Sequence, residues 1–387
     1  MNSKLPGLSL LFLGFNLFIF GQAEQLSDLL QPFVDKNALA GVVLVVADKE
    51  KELFIDSYGH ADREEEKPMS PDSMFWIASQ SKPMTAVAVM TLVDQRKISL
   101  DDPVEKYLPE FRNQMVLVEK SDERTILAKR SRSVIIRDLL SHMSGFPFKS
   151  AMEHPTLIVL SLRLATGSFA LTPLQTQLGM HYQYSNAGIK TAARVLEVVS
   201  GIPYEDYINQ LLFQPLAMKD TTFWPTDEQA ERVAKSYRPN QDKTGLEETK
   251  IGQLQYPLQD RGKRFPMPAG GLFSTAQDTA RFCQMMLNRG VWKGKRFLSE
   301  DAFEALTSKQ TPESIQNSYG LGFSVGKGTF DHGGAHATNI EIRMEEGLIL
   351  VLMVQHAGSP WMEARHREYL KIGRLKSFQE SKHVIIS

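Results

Sequence analysis

An α+β fold is predicted for this chain, with a sheet assembled from both ends of the sequence and the middle of the chain inserted as a second lobe. Near the amino terminus, the β-branched run Gly41–Ala47 is followed by a polar turn and a second short run, Leu53–Tyr58, which is typical of a β-hairpin. Near the other end, apolar and charged residues alternate over Ile340–Met344, and a turn then leads into the apolar run Leu348–Val354. Helical patterns separate these two pairs of strands.

The helices between the strands begin with Ser81–Val93, which is apolar nearly all round and therefore predicts a helix buried on every side. Pro83 lies in its first turn, where a missing backbone N–H costs nothing. Further helices are predicted over Ile136–Ser141, Ala187–Val199, Tyr204–Leu212 and Thr275–Asn288. The polar segment Thr226–Phe265 has only weak periodicity and is predicted to be largely a long loop.

The composition excludes several kinds of site. The 387 residues carry 44 Lys+Arg against 45 Asp+Glu, so no basic surface for nucleic acid is expected. A single cysteine can form neither an internal disulfide nor a cysteine-rich metal cluster. That residue, Cys283, lies in a helical pattern and is expected to be a buried, inert thiol. Any chemistry is therefore expected to use oxygen and nitrogen groups. No metal is expected, because no pair of histidines has metal-ligand spacing with a third ligand, and no cofactor is expected.

The first residues have the layout of a secretory signal peptide. Lys4 precedes the apolar run Leu8–Phe20, and Ala23 follows as the expected last residue removed, so residues 1–23 are predicted to be the signal and residues 24–387 the mature chain. The alternative is an uncleaved anchor, but the run is shorter than the ~20 residues of a spanning helix. No second long apolar stretch follows. Export to a bacterial periplasm or to the medium fits a chain without disulfides.

One Gly-x-Ser-x-Gly string occurs, at residues 322–326, and it raises the possibility of an α/β-hydrolase with Ser324 as the nucleophile. That motif requires a strand before the serine and a helix after it. Tyr319–Val325 is predicted to be a strand, but an extended segment follows it. Ser324 is therefore interpreted as a strand residue, with the α/β-hydrolase as an alternative.

A second candidate nucleophile is Ser79, in the sequence Ser79-Gln80-Ser81-Lys82 where the buried helix begins. Residues three apart lie on the same side of a helix, so Ser79 and Lys82 can hydrogen-bond. A serine hydroxyl needs a base to become a nucleophile, and a lysine in an apolar environment has a lowered pKa that suits this role. The alternative interpretation is a helix cap beside an ordinary lysine.

Two further fragments follow in the order of a known family. Tyr184-Ser185-Asn186 precedes the helix at Ala187, and His332-Gly333-Gly334 is placed where a strand is expected to begin. Together with Ser79 and Lys82, these fragments resemble the serine β-lactamase-like hydrolases, which include class C β-lactamases, D-alanyl-D-alanine carboxypeptidases and family VIII esterases. Segments 99–104, 136–145, 269–275 and 319–322 are similar to that family as well.

The resemblance implies an antiparallel sheet flanked by helices, as in the β-lactamase and transpeptidase fold, and an active site between two lobes. The α/β lobe is expected to comprise about 24–95 and 266–387, and the mostly helical lobe about 96–265. Ser79 matches the acylated nucleophile, Lys82 its proton-transfer partner, and Tyr184 the tyrosine that shuttles protons.

The resemblance also implies how the substrate is held. Asn186 matches the amide that hydrogen-bonds the lysine and the substrate; by itself it would be interpreted as a helix N-cap. The backbone N–H groups of Ser79 and Ala335 are the expected oxyanion hole. Gly333 and Gly334 would let the substrate approach the strand closely.

His332 departs from the family pattern, because the lactamases and carboxypeptidases usually have lysine there. A histidine is mostly neutral at pH 7, so it would capture a substrate carboxylate less well. His142 is interpreted as a hydrogen-bonded structural residue.

The predicted function is therefore a serine hydrolase that cleaves a carboxylic ester or an amide, with D-amino-acid peptides among the candidates. The expected partner is a small-molecule or short-peptide acyl substrate. The first alternative is a β-lactamase or D-Ala-D-Ala carboxypeptidase acting on β-lactams or peptidoglycan peptides. The second is a catalytically silent cell-wall-binding protein, which would have no need of Ser79, Lys82 and Tyr184 together.

Overall fold

The centre of the protein is a seven-stranded antiparallel sheet. A computed structural model describes residues 30–242 and 244–357. The sheet strands are β1 (Gly41–Ala47), β2 (Glu52–Asp62), β3 (Lys67–Pro68), β12 (Ser324–Gly326), β13 (Thr329–Gly333), β14 (Asn339–Arg343) and β15 (Leu348–Met353). Their spatial order is β12-β13-β14-β15-β1-β2-β3, so strands from the two ends of the sequence meet at β1 and β15. The predicted fold class is confirmed.

Strand β1 is buried on both faces. Val45 pairs with Ile55 on β2 and with Val351 on β15. Val45 belongs to the main hydrophobic core, whereas Leu44 and Val46 on the other face belong to a second apolar cluster. Burial on both faces explains why β1 is continuously apolar instead of alternating.

From Ser81 onward, the described α-helices are α1 (Ser81–Asp94), α2 (Ile136–Leu140), α3 (Leu162–Ala170), α4 (Asn186–Ser200), α5 (Tyr204–Ile208), α6 (Asp227–Glu231), α7 (Ala276–Leu287) and α8 (Glu300–Thr307). Helix α1 is buried all round, as its sequence predicts. Helix α7 packs on strands β1, β14 and β15. The predicted helix Tyr204–Leu212 consists of α5 and a π-helical turn, Asn209–Phe213.

The segment predicted as a long loop, Thr226–Phe265, contains regular structure. It includes helix α6, the hairpin of β7 (Ser236–Pro239) and β8 (Leu246–Thr249), and a 3₁₀ turn. Elements of four or five residues are too short to show a period, and tertiary contacts hold them: the Tyr237 N–H donates to the Gln355 carbonyl at 3.0 Å.

The region expected to be mostly helical also contains a hairpin of β5 (Met115–Lys120) and β6 (Thr125–Lys129). One other local prediction was wrong. The predicted strand Tyr319–Val325 is extended only in β12, because Gly322 has a φ of +77° and turns the chain before Ser324.

The remaining strands are short: β4 (Phe75–Trp76), β9 (Phe273–Ser274), β10 (Val291–Trp292) and β11 (Lys295–Arg296). Over the stretches 30–242 and 244–357, no helix is long and apolar enough to span a bilayer. The predicted signal segment, residues 1–23, lies outside the described residues.

Candidate active site

Ser79 lies at the junction between strand β4 and helix α1. It belongs to a 3₁₀ turn, Ala78–Gln80, and its side chain is half-buried. Ala78 immediately before it has a φ of +46°, a conformation that L residues adopt at a cost of about 1–3 kcal/mol. Pairing of β4 with β9 holds the chain on one side of this turn. The nucleophile candidate therefore sits on a strained turn and not in the helix itself.

Lys82 points from the first turn of α1 to Ser79, as the three-residue spacing predicts. Its Nζ lies 3.0 Å from Ser79 Oγ and donates to the Ala269 carbonyl at 2.7 Å. The side chain is fully buried. Burial, and secondly repulsion from Lys190, hold the pKa of Lys82 well below its usual range. This amine is therefore suited to take the proton of the serine hydroxyl.

The Tyr184 ring lies next to Ser79 and Lys82. Lys82 Nζ lies 4.7 Å from the centre of the Tyr184 ring. Burial raises the pKa of the Tyr184 phenol, and a hydrogen bond with the Ser79 side chain only partly opposes that shift. Tyr184 is consequently a phenol at neutral pH and can give a proton more readily than it can take one.

Asn186 does not have the local role that its position suggested. The N-cap of α4 is Ser185, whose Oγ accepts a hydrogen bond from the Gly188 N–H at 3.1 Å, and Asn186 is the first helical residue. Lys82 donates to Ser79 and Ala269, and no bond from Lys82 to Asn186 is found in the described residues. The Asn186 side chain is buried, and its Oδ1 accepts no hydrogen bond from the described residues.

The segment after β13 approaches the backbone that leads into Ser79. A Cβ on Gly334 would lie 2.4 Å from the Ile77 carbonyl oxygen and 2.1 Å from Thr338 Oγ1. Gly334 is thus required by packing within the chain. In the described residues, the backbone N–H groups of Ser79 and Ala335 have no acceptor. They are two donors suited to an oxyanion.

His332 was expected at the start of a strand, but it lies one residue before the end of β13. Its Nδ1 is 2.7 Å from the Gly333 carbonyl oxygen and its Nε2 is 3.1 Å from the Tyr319 hydroxyl. Burial, followed by repulsion from Lys82, lowers the pKa of His332 to about 3. His332 is neutral, in agreement with the sequence, but neither ring nitrogen is free. The substrate-binding role expected of His332 stays a prediction.

Two further residues adjoin the site. Tyr319 binds His332, and its ring centre lies 4.8 Å from that of His142. The His142 ring is 4.5 Å from Tyr184, and its Nδ1 accepts from the Ser185 N–H at 3.2 Å, which agrees with the structural role expected of it. Sequence reasoning missed Tyr319, since no spacing rule connects it with His332.

A buried ion pair lies behind the site, between Lys190 of α4 and Glu153. Lys190 also donates to the Leu157 carbonyl at 2.7 Å, and Glu153 accepts from the Ser150 N–H at 2.9 Å. Nothing in the sequence pattern indicated this pair.

The other candidates lie outside this arrangement. Ser324 is in β12 and is followed by strand β13 instead of a helix, so the α/β-hydrolase context is not formed. Cys283 is fully buried, and burial raises the pKa of its thiol, as expected for an inert residue.

Comparisons with known proteins agree with this geometry. The Beta-lactamase family model matches residues 26–374. Protein Rv1367c of Mycobacterium tuberculosis is 30% identical over 83% of this chain and 87% of its own length. Esterase EstB of Burkholderia gladioli is 30% identical over 59% of this chain and 57% of its own length.

Among solved structures, a LovD6 mutant of simvastatin synthase from Aspergillus terreus superposes with a TM-score of 0.76 at 19% identity, covering 91% of this chain and 94% of that one. This similarity shows the fold. The family match, which spans all of the described residues, is the stronger finding. The chain belongs to the beta-lactamase family.

Proposed function

We propose that the protein is a serine hydrolase that cleaves a carboxylic ester or an amide through an acyl-enzyme on Ser79. The observation that carries this proposal is the fully buried Lys82 amine, 3.0 Å from Ser79 Oγ. Family membership and the relative named an esterase support the same reaction class.

In the first step, Lys82 takes the hydroxyl proton while Ser79 Oγ attacks the substrate carbonyl carbon. Lys82 is the better base of the two candidates, because its pKa is lowered whereas that of Tyr184 is raised. Negative charge then develops on the carbonyl oxygen, and the N–H groups of Ser79 and Ala335 are the donors available to stabilise it.

Collapse of the tetrahedral species breaks the bond to the leaving group, which departs with a proton. Tyr184 is a phenol whose ring centre lies 4.7 Å from Lys82 Nζ, so it can give that proton and recover one from Lys82. Water, deprotonated by the same groups, then attacks the acyl carbon and releases the acid and free Ser79. Protons and bonds balance over the cycle, which consumes one water.

Two reagents test this proposal: a fluorophosphonate probe and a penicillin, each followed by intact-protein mass spectrometry. Labelling of the folded protein by the fluorophosphonate, absent in Ser79→Ala, is the expected result. Labelling or turnover of the penicillin at rates comparable with a short-chain ester would favour the β-lactamase alternative. Failure of both reagents to label Ser79 in folded protein would contradict the mechanism.

The cellular location is also part of the proposal. Residues 1–23 direct export and are removed after Ala23, which leaves a hydrolase of two lobes facing small acyl substrates outside the cytoplasm. The mass of the protein isolated from a bacterial host tests this. A mature chain beginning at Glu24 is expected, and a full-length chain in the membrane fraction would indicate an anchor.

A further inference from the structure

Close to Ser79, strand β13 continues beyond the point where its pairing with β12 ends. Strand β12 pairs only as far as Asp331, whereas β14 pairs with His332 and Gly333 on the opposite edge. The end of β13 packs against the 3₁₀ turn that carries Ser79. Among the five residues of β13, only His332 could supply a cation to a substrate lying along this strand. The charge of His332 therefore determines whether a side chain of this strand can form an ion pair with an anionic substrate.

The contacts of His332 determine its tautomer. The Gly333 carbonyl oxygen can only accept, so Nδ1 carries the hydrogen and donates at 2.7 Å. In a neutral imidazole the other nitrogen is then an acceptor, and the Tyr319 hydroxyl donates to Nε2 at 3.1 Å. Both ring nitrogens are used within the chain, which leaves no N–H for a ligand.

Burial and ring packing fix the position of Tyr319, the hydrogen-bond partner of His332. It is nearly fully buried, and its ring packs at 4.8 Å from His142 and at 5.6 Å from Tyr182. Burial also holds its pKa well above the usual range, so the hydroxyl keeps its hydrogen. His142 in turn lies against Tyr184. The hydrogen bond between His332 and Tyr319 thus joins β13 to the aromatic groups that surround the proton-transfer residues.

We propose that His332 is a positioning residue that holds Tyr319, and that the site takes uncharged esters or amides with no carboxylate on the part lying along β13. This inference rests on the proposed function, because it specifies the substrate of the same acyl-enzyme reaction. A carboxylate placed there would meet a neutral imidazole without a free N–H, followed by a glycine, and would lose its hydration without gaining an ionic partner.

Matched substrates test the inference. One pair is 3-acetoxybenzoate and its methyl ester, with the charge on the leaving group; the other is 4-nitrophenyl hydrogen glutarate and its methyl ester, with the charge on the acyl group. In at least one pair, the methyl ester is expected to exceed the free acid by about tenfold or more in kcat/KM. The rates are compared at about pH 7.5, where His332 is neutral because burial lowers its pKa to about 3. Equal rates in both pairs, or an advantage of the free acid, would overturn the inference.

Variants separate positioning from a merely structural role. His332→Gln keeps an acceptor near the position of Nε2, whereas His332→Leu does not. His332→Leu and Tyr319→Phe are each expected to lower kcat on the methyl esters by about tenfold, with no further loss in the double variant, and His332→Gln is expected to recover most of it. Near-ultraviolet circular dichroism confirms that each variant is folded. A loss confined to the free acids in His332→Leu would instead show that His332 binds the carboxylate.

Ser79→Ala distinguishes failure of this inference from failure of the proposed function. Activity on the methyl esters that survives in Ser79→Ala would contradict the proposed function. Activity that depends on Ser79 but shows no preference for uncharged substrates would overturn the inference alone.

Discussion

Replacing Gly334 with alanine is expected to damage catalysis far more than folding, because the new methyl group would press on the backbone that leads into Ser79. The added Cβ would lie 2.4 Å from the Ile77 carbonyl oxygen, whereas ordinary contact begins at 3.4 Å. One of the two segments must therefore move by about 1 Å, the difference between these distances. A misplacement of about 1 Å at a catalytic site costs up to about 10²-fold in rate. The proposed oxyanion donors on Ser79 and Ala335 belong to the two segments that would separate.

The cost in stability is expected to be smaller, about 1–3 kcal/mol for an overpacked site. Steady-state kcat on a short-chain 4-nitrophenyl ester and a urea unfolding curve, measured on the same sample, test both numbers. Gly167→Ala is the matched control, because a Cβ at Gly167 in helix α3 meets nothing within 4 Å. Unchanged activity in Gly334→Ala would refute the close approach of the segment after β13 to the backbone that leads into Ser79.

Three other perturbations follow from the buried ionisable groups. Lys82→Arg is expected to lower kcat/KM by about 10²–10⁴-fold, since a guanidinium cannot act as the base. In the wild type, activity is expected at neutral pH and is lost on acidification as Lys82 gains a proton. An activity that rises only near the pKa of free lysine would contradict this expectation. Burial lowers the pKa of His336 to about 4 and also lowers that of His356, so below about pH 6.5 these histidines bind protons in the unfolded chain but not in the folded chain. The contribution of the two neutral histidines to stability is therefore complete above about pH 6.5 and is lost as the pH falls toward 4. Equal urea midpoints at about pH 7.5 and about pH 5 would contradict this expectation. Lys190→Met leaves the Glu153 carboxylate buried without its partner and is expected to lower the free energy of unfolding in urea by about 3–5 kcal/mol. The double variant Lys190→Met/Glu153→Leu is expected to recover most of that loss. Equal losses in the single and the double variant would contradict the pairing.

Local geometry explains which parts of the site could be predicted from the sequence. The pairing of Ser79 with Lys82 depends on a spacing of three residues at a helix start, so the sequence alone was sufficient. The buried helix α1 and the strands at both ends were equally accessible, because an apolar pattern determines the faces that are buried.

Contacts between distant segments account for what could not be predicted. Tyr319 and His332 are 13 residues apart and meet because the chain turns at Gly322 and β12 then pairs with β13. Part of the packing requirement at Gly334 comes from Ile77, more than 250 residues earlier in the sequence. No pattern within one segment records such contacts.

Formation of the ester bond on Ser79 is the central claim, and it can be observed directly. The protein is mixed with a 4-nitrophenyl ester, quenched in acid during the first turnovers, digested, and examined by mass spectrometry. The account predicts one acyl group on the peptide that contains Ser79, absent from Ser79→Ala and accumulating no faster than 4-nitrophenol is released. An acyl group on a peptide that contains Ser324, or rapid turnover that persists in Ser79→Ala, would contradict it.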